Sequence, residues 1–465
     1  MENASATPLS GYLSGEHTPV DSELSVDGLE VEGELPRGLE GMFCRNTPNP
    51  RFAPIGKYHW FDGDGMVHGV RFQDGKAAYL NKWIRTAGLV KEEAAGRALW
   101  TGILQPGGPD APRPPLKDTA NTDLVVHRGR LYATWWMAGT PYELDVTDLS
   151  TKGPERFEGR LLGGFSAHPK VDPRTGEMVF FDFNMMKTPF LRYGVVDAEG
   201  KLAVYEGIEV DAPHILHDCA ITENYSILLD LPLGWDLEAL MAGKRRIQFD
   251  KSKPARFGVI PRRGKGSEVK WFEAESCYVY HTINAYEDGD EIVLVGCRVA
   301  DLIPQMQDPS PSVTRLDTIE LKPVLYRWRF NLKTGAMKEQ QLDDVPTEFP
   351  RANDARMGTR LRYSYNPRIA KRADAMFDAL IKYDLDGGTS KVHAYQPGWY
   401  GSEVTFVPAT DTGAEDDGWL TTILTKAGER SKAIVLDAKN LDVIASVELP
   451  RQVPIGFHAA WVPAS

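Results

Sequence analysis

Residues 170–183 read KVDPRTGEMVFFDF, a short strand-like run, a turn built from Asp, Pro, Thr and Gly, and a second run of apolar and aromatic residues. That order is the grammar of a β-hairpin, in which turn-forming residues separate two segments suited to a pleated surface. Working outward, the same pattern recurs in GVRFQDGKAAYLNKWI (69–84), RYGVVDAEGKLAVYE (192–206), YRWRFNLKTGAMKEQQL (326–342) and AIVLDAKNLDVIASVEL (433–449). No strict repeat accompanies them. Many hairpins with few long helical stretches predict an all-β chain, and at this length a propeller deals with exposed strand edges better than one open sheet. Two segments read as helices, LVKEEAAGRALWTGIL (89–104) and DLEALMAGKRR (236–246), placed outside the blades or capping one face. The Pro/Gly-rich stretch 105–118 reads as a surface loop, too short for a domain linker. The chain is therefore expected to form one domain over 1–465, with a flexible N-terminus to about residue 15.

Composition removes several function classes. The 465 residues are 42% hydrophobic and 25% charged, an ordinary globular balance. With a formal charge of −12 and no Lys/Arg block, nucleic acid is not an expected partner. The four cysteines, Cys44, Cys219, Cys277 and Cys297, form no C-x-x-C pair and fit a reducing compartment. The N-terminus carries neither a basic nor an apolar signal region, and no stretch approaches 18 apolar residues. A cytoplasmic protein is the expectation. Nothing in the sequence bears on its oligomeric state.

Phosphate-binding loops, a G-x-S-x-G elbow and H-E-x-x-H are all absent from the sequence. Asp62-Gly-Asp64-Gly opens like a calcium loop, but its twelfth position is Gln73, so it reads as a turn. No His-x-Asp or His-x-Glu occurs, which disfavours a two-histidine, one-carboxylate iron triad. What remains is ten histidines, four of them beside strand-like runs: FSAHPKVD (His168), ILHDCAITENY (His217), YVYHTINAY (His281) and GFHAAWVP (His458). One ligand per blade around an axis would gather a metal in this way, although a single His beside a strand is more often structural. His214 and His217 fall in a segment read as a strand, where residues three apart face opposite ways, so only one of them should point inward.

These contexts are recognisable. The chain resembles the carotenoid cleavage oxygenases from about residue 10 to its end, through YLSGEHTPVDSE, LPRGLEGMFCRNTPNP, KYHWFDGDGMVHGVRF, FSAHPKVDPRTGEM, HDCAITENYSILLDLPL, ARFGVIPR, TEFPRAN, WYGSEVTFVP and VPIGFHAAWVP in the family's order. The resemblance implies a seven-bladed propeller under a dome of loops and helices, with Fe(II) on four neutral imidazoles and open positions for O2. Carried over by motif, the ligands are His168, His217, His281 and His458, which selects His217 over His214. O2 adds across one double bond of a conjugated apolar substrate and two carbonyl products leave. The alkene supplies the electrons, in keeping with the missing nucleotide motifs.

In this family three Glu residues hold the histidine ligands, and Glu348 and Glu403 match two of them. The third is missing. In LYATWWMAGTPYELD (131–145) its place falls on Met137 or Trp136, depending on the direction of counting, and neither accepts a hydrogen bond from an imidazole. By the family pattern His217 is the ligand left without support, with a backbone carbonyl, a water or Glu143 as replacements. Stilbene- and phenylpropenoid-cleaving relatives also place a Lys just before that Glu, where Trp135 and Trp136 stand here. The primary expectation is thus cleavage of a carotenoid or apocarotenoid. The alternatives are the same chemistry on a stilbene or propenylphenol, or a catalytically impaired propeller that binds an apolar ligand. Phe61, Trp135, Trp136 and Tyr280 are expected to line the substrate pocket, against an ordinary aromatic core, and Thr122 to crowd the open metal position. The segment 89–104 is either a peripheral membrane contact near a tunnel mouth or a helix packed on the propeller.

Overall fold

A two-residue loop of Asp74 and Gly75, both at positive φ (51° and 68°), joins strands Gly65–Gln73 and Lys76–Trp83. Such a left-handed pair matches the twist of its strands, so local chemistry closes this hairpin. The other four predicted hairpins form as well: Lys170–Val171 with Met178–Phe183, Leu191–Val196 with Leu202–Ile208, Val324–Asn331 with Met337–Gln341, and Lys432–Asp437 with Val443–Glu448. The computed structural model describes residues 11–464 apart from 106, 109, 237–246, 303–314, 317–318 and 410–412.

The strands assemble into seven antiparallel sheets, the blades of a propeller, plus two short two-stranded ribbons among the described residues. Both chain ends help to close the ring. Ala459–Pro463 pairs with Gly41–Pro48 in the first blade, and Val31–Gly33 pairs with Val443–Glu448 in the last. First strands of neighbouring blades touch around the axis: Ala459–Pro463 meets Asp123–His127, Lys170–Val171 meets Cys219–Ile221, Cys219–Ile221 meets Tyr278–Asp288, and Thr405–Pro408 meets Ala459–Pro463. Between blades lie buried aliphatic and aromatic layers such as Phe180, Phe257, Trp328 and Tyr365. Closure leaves few free edges, which is how this architecture keeps its strands from pairing with other chains.

The helix expected over 89–104 is shorter and starts earlier, at Ala87–Ala95. Thr86 caps it, its Oγ1 accepting from Leu89 N at 3.2 Å, and Gly96 ends it in the left-handed conformation (φ 67°). Beyond Gly96 the Glu92 carboxylate accepts from Leu99 N at 2.8 Å and turns the chain back. Ala98, Trp100 and Ile103 are thereby buried. The helix expected at 236–246 lies, apart from Asp236, outside the described residues, as does the N-terminal stretch up to residue 10. From Gly11 the chain forms two 3-10 turns, Gly11–Leu13 and Gly15–His17. No helix among the described residues is long and apolar enough to cross a membrane.

Candidate metal centre

A chemically distinctive residue marks the inner end of each blade. His168 precedes Lys170–Val171, His217 precedes Cys219–Ile221, His281 lies in Tyr278–Asp288, and His458 precedes Ala459–Pro463. Asp123 opens Asp123–His127 and Glu403 precedes Thr405–Pro408, while Glu348 follows Thr347, which bridges to Arg368 of Tyr363–Ile369. The four imidazoles are buried and their ligand atoms lie within 4.8 Å of one another. The segment holding His214 and His217 is irregular rather than a strand; pairing begins only at Cys219. Ile215 ties it down, its N–H donating to Leu233 O at 2.7 Å and its carbonyl accepting from Tyr278 Oη at 2.9 Å. His217 enters the cluster, and His214 turns to Asp230 at 2.7 Å.

His281 reaches the centre by a different device. Val279 pairs with Arg298 and Thr282 with Gly296, so two residues, Tyr280 and His281, stand opposite Cys297 alone. This β-bulge breaks the alternation of faces and lets consecutive side chains line the same cavity.

The hydrogen bonds assign the tautomers. His168 Nδ1 donates to Asp123 Oδ2 at 2.9 Å, His281 Nδ1 to Glu348 Oε2 at 2.5 Å, and His458 Nδ1 to Glu403 Oε1 at 3.0 Å. A carboxylate only accepts, so each of these rings presents the lone pair of Nε2 to the centre. His281 Nε2 is buried without a partner, and the Nε2 atoms of His168 and His217 are 3.2 Å apart. Burial holds all four imidazoles below their ordinary pKa, and it raises the Asp123, Glu348 and Glu403 carboxyl groups. Converging lone pairs backed by desolvated carboxylates call for a cation, and an all-imidazole set suits iron, copper, nickel or zinc.

His217 differs from the other three. Among the described residues, no group bonds its Nδ1, and its ring packs edge-on against Tyr280 at 5.2 Å between centroids. Glu143 does not replace the missing support: it sits in Tyr142–Leu144 beside Arg130 and Lys152, at 3.3 and 3.6 Å. At the place of the absent Glu, Trp136 lines the same cavity as His217, and Met137 packs partly buried against the core.

An apolar cavity with an empty volume of about 570 Å³ opens on the histidines. Phe61, Thr122, Trp136 and Tyr280, all singled out in the sequence, line it together with Trp60, Phe349, Phe377 and Phe457, which sequence reasoning missed. Thr122 Oγ1 accepts from Trp136 N at 3.0 Å, fixing the turn that presents the indole. Trp135 points elsewhere. It borders a second cavity with Trp100, Asp64, Glu92 and Lys117, because consecutive residues diverge where the strand ends at Thr134. Behind the histidines lies a cavity of about 1340 Å³ of empty volume whose mixed lining includes Asp123, Lys170, Asp218, Arg351 and Glu403. Asp218 locks adjacent blades, accepting from Thr282 N at 2.7 Å and pairing with Lys170 at 2.7 Å.

Three further histidines have partners of their own: His59 caps the 3-10 turn Trp60–Asp62, His68 bonds Tyr79, and His127 bonds Gly176 O. Asp62 accepts from His59 N and Ile103 N, both at 2.8 Å, so the calcium-like motif serves as a structural turn.

Comparison with known proteins agrees with this geometry. The family described as Retinal pigment epithelial membrane protein matches residues 17–463. The Carotenoid 9,10(9',10')-cleavage dioxygenase 1 of Phaseolus vulgaris is 38% identical over 97% of this chain and 89% of its own. Among solved structures, the lignostilbene dioxygenase of Pseudomonas brassicacearum superposes with a TM-score of 0.90 at 28% identity, covering 99% of this chain and 100% of that one. A single-site mutant of Synechocystis apocarotenoid oxygenase gives 0.85 at 30% identity, covering 97% and 98%. A seven-bladed ring with four axial histidines, matched along nearly its whole length, belongs to the retinal pigment epithelial membrane protein family, the carotenoid cleavage oxygenases.

Proposed function

We propose that this protein is an Fe(II)-dependent dioxygenase that cleaves one C=C bond of a carotenoid or apocarotenoid into two carbonyl products. The observation that carries the reading is the apolar cavity that opens, through His217, His281 and His458, on a buried cluster of four imidazoles. His168, His217, His281 and His458 would hold the ion, with Glu348 and Glu403 orienting His281 and His458. Ferrous iron, when bound, supplies the redox chemistry by which dioxygen reacts with a closed-shell alkene. Both oxygen atoms end in the products and the alkene provides the electrons, so no cosubstrate is required. The chain's own residues bind and orient: Phe61, Trp136, Phe349 and Phe457 offer ring faces to a flat conjugated chain and keep water out.

A stilbene or propenylphenol is the second reading, favoured by the similarity to the lignostilbene dioxygenase. Against it, no Lys or Arg is among the described residues lining the apolar cavity, which offer a phenolate no cation. A propeller that only binds an apolar ligand is the third, and its support is the unassisted Nδ1 of His217. One experiment separates all three: metal analysis of anaerobically prepared protein, with O2 uptake and carbonyl products followed for an apocarotenal and a hydroxystilbene. About one iron per chain with apocarotenal-dependent uptake is expected. Uptake with the stilbene alone would transfer the function to the second reading. Binding without uptake after ferrous reconstitution would leave the third.

We also assign the protein to the cytoplasm, with peripheral contact where its substrate resides in a bilayer. The exposed Leu162 (86%) and Met186 (82%) support such contact better than the helix Ala87–Ala95, whose following apolar residues are buried. Liposome flotation without co-migration would count against it.

A further inference from the structure

Seven blades bring seven inner positions to the axis, and in ring order these are His458, Asp123, His168, His217, His281, Glu348 and Glu403. Glu348 lies on the blade next to His281 and bonds its Nδ1, and Glu403 lies on the blade next to His458 and bonds that ring in the same way. Asp123 repeats the relation. From the blade next to His168 it places Oδ2 2.9 Å from Nδ1, while Oδ1 is held by Leu124 N at 2.7 Å. The second bond fixes the carboxylate, so the first is a directed contact rather than a chance ion pair. His168 and Asp123 are both buried.

We propose that Asp123 is a positioning residue of the metal centre, supplying through His168 the third carboxylate that Met137 and Trp136 cannot provide at His217. The inference rests on the reading of the four histidines as metal ligands. Three carboxylates stand behind the histidines, but the support has moved from one imidazole to its neighbour. His217 is held by ring contacts instead, edge-on to Tyr280 at 5.2 Å and to His281 at 5.0 Å between centroids. Among the described residues no other carboxylate bonds His168 Nδ1, and Asp218 is committed to Lys170 and Thr282.

The test measures metal affinity rather than turnover. Cobalt(II) titrations of the full-length parent, D123A and D123N follow both affinity and the visible ligand-field spectrum. Loss of an outer carboxylate weakens metal binding by about 10–100-fold, and that loss is expected for D123A. D123N retains an oxygen of the same reach and can still cap Leu124, so a merely structural role would return it to parental affinity. The inference expects D123N to bind cobalt at least as weakly as D123A, with a shifted spectrum, because the amide oxygen that caps Leu124 leaves its NH2 group to donate to His168 Nδ1. Parental affinity and spectrum in D123N, with D123A no more than twofold weaker, would overturn the role of Asp123 while leaving the histidine site intact. A parent that binds neither cobalt nor ferrous ion would instead overturn the four-histidine reading, and this inference with it. D123N also serves as the measurable variant if D123A does not fold.

Discussion

Replacing Glu403 by Gln separates the two tasks of one buried carboxylate. Oε1 accepts from His458 Nδ1 at 3.0 Å and Oε2 from Ala459 N at 2.6 Å. Glutamine has one carbonyl oxygen for these two donors. The backbone N–H cannot move its proton, whereas the imidazole can, so in Glu403→Gln the amide oxygen serves Ala459 and its NH2 group donates to Nδ1. The His458 proton then shifts to Nε2 and points at the other three rings. Metal binding must reverse that tautomer and set two N–H groups against each other in a buried site, at a cost of about 1–3 kcal/mol. At about 1.4 kcal/mol per factor of ten, affinity falls by roughly 5–150-fold. Glu403→Ala behaves in the opposite sense. It leaves Ala459 N without an acceptor, a loss of about 1–3 kcal/mol in stability, and removes the carboxylate 3.9 Å from Arg351, but it leaves the tautomer free. Anaerobic cobalt or ferrous titration against a competing chelator, with denaturant unfolding of the metal-free forms, resolves the two effects. Glu403→Gln should be the weaker metal binder and the more stable protein. A Glu403→Gln variant that holds metal within twofold of the parent would refute the tautomer argument.

Two further outcomes test the scaffold around the site. Burial lowers the pKa of His17 from 6.5 to about 4, and neither ring nitrogen has a partner. Below pH 6.5 the unfolded chain takes up a proton that the folded site refuses until about pH 4. The stability due to neutral His17 is therefore complete above pH 6.5 and is lost as the pH falls through that window, by about 2 kcal/mol between pH 7 and 5. Urea unfolding at both values should show a change smaller by that amount in His17→Leu; an equal pH dependence in the two proteins would disprove the assignment. Lys117 is held between Asp64 and Glu92, with the three side chains 9%, 5% and 4% exposed. Lys117→Met strands two buried carboxylates and should destabilise the protein by about 3–5 kcal/mol, read from the urea midpoint. A loss under about 1 kcal/mol would mean that the cluster is hydrated.

The hairpins were legible because each depends on chemistry within a dozen residues, as in the Asp74-Gly75 loop. The four histidines were legible through the motifs around them, and Glu348 and Glu403 likewise. The helix at 89–104 was misjudged because its pattern continues past Gly96, and it is Glu92, held by Lys117 from a later segment, that turns the chain inward. Trp135 and Trp136 carry the same side chain at adjacent positions, so residue type alone could not assign them to different cavities.

By itself the sequence determined an all-β chain of successive hairpins, the imidazole set of the centre and the absence of a third Glu at its usual place. The tertiary structure decided the rest, because those features depend on pairing between distant segments. The extra residue opposite Cys297 turns Tyr280 and His281 to one face, and that bulge exists only in register with the partner strand. The bond from His168 to Asp123 spans 45 residues and arises because closing the ring sets their blades side by side. An aspartate after TANT carries no local mark of this role; it acquires one when the propeller brings its carboxylate to the edge of a particular imidazole.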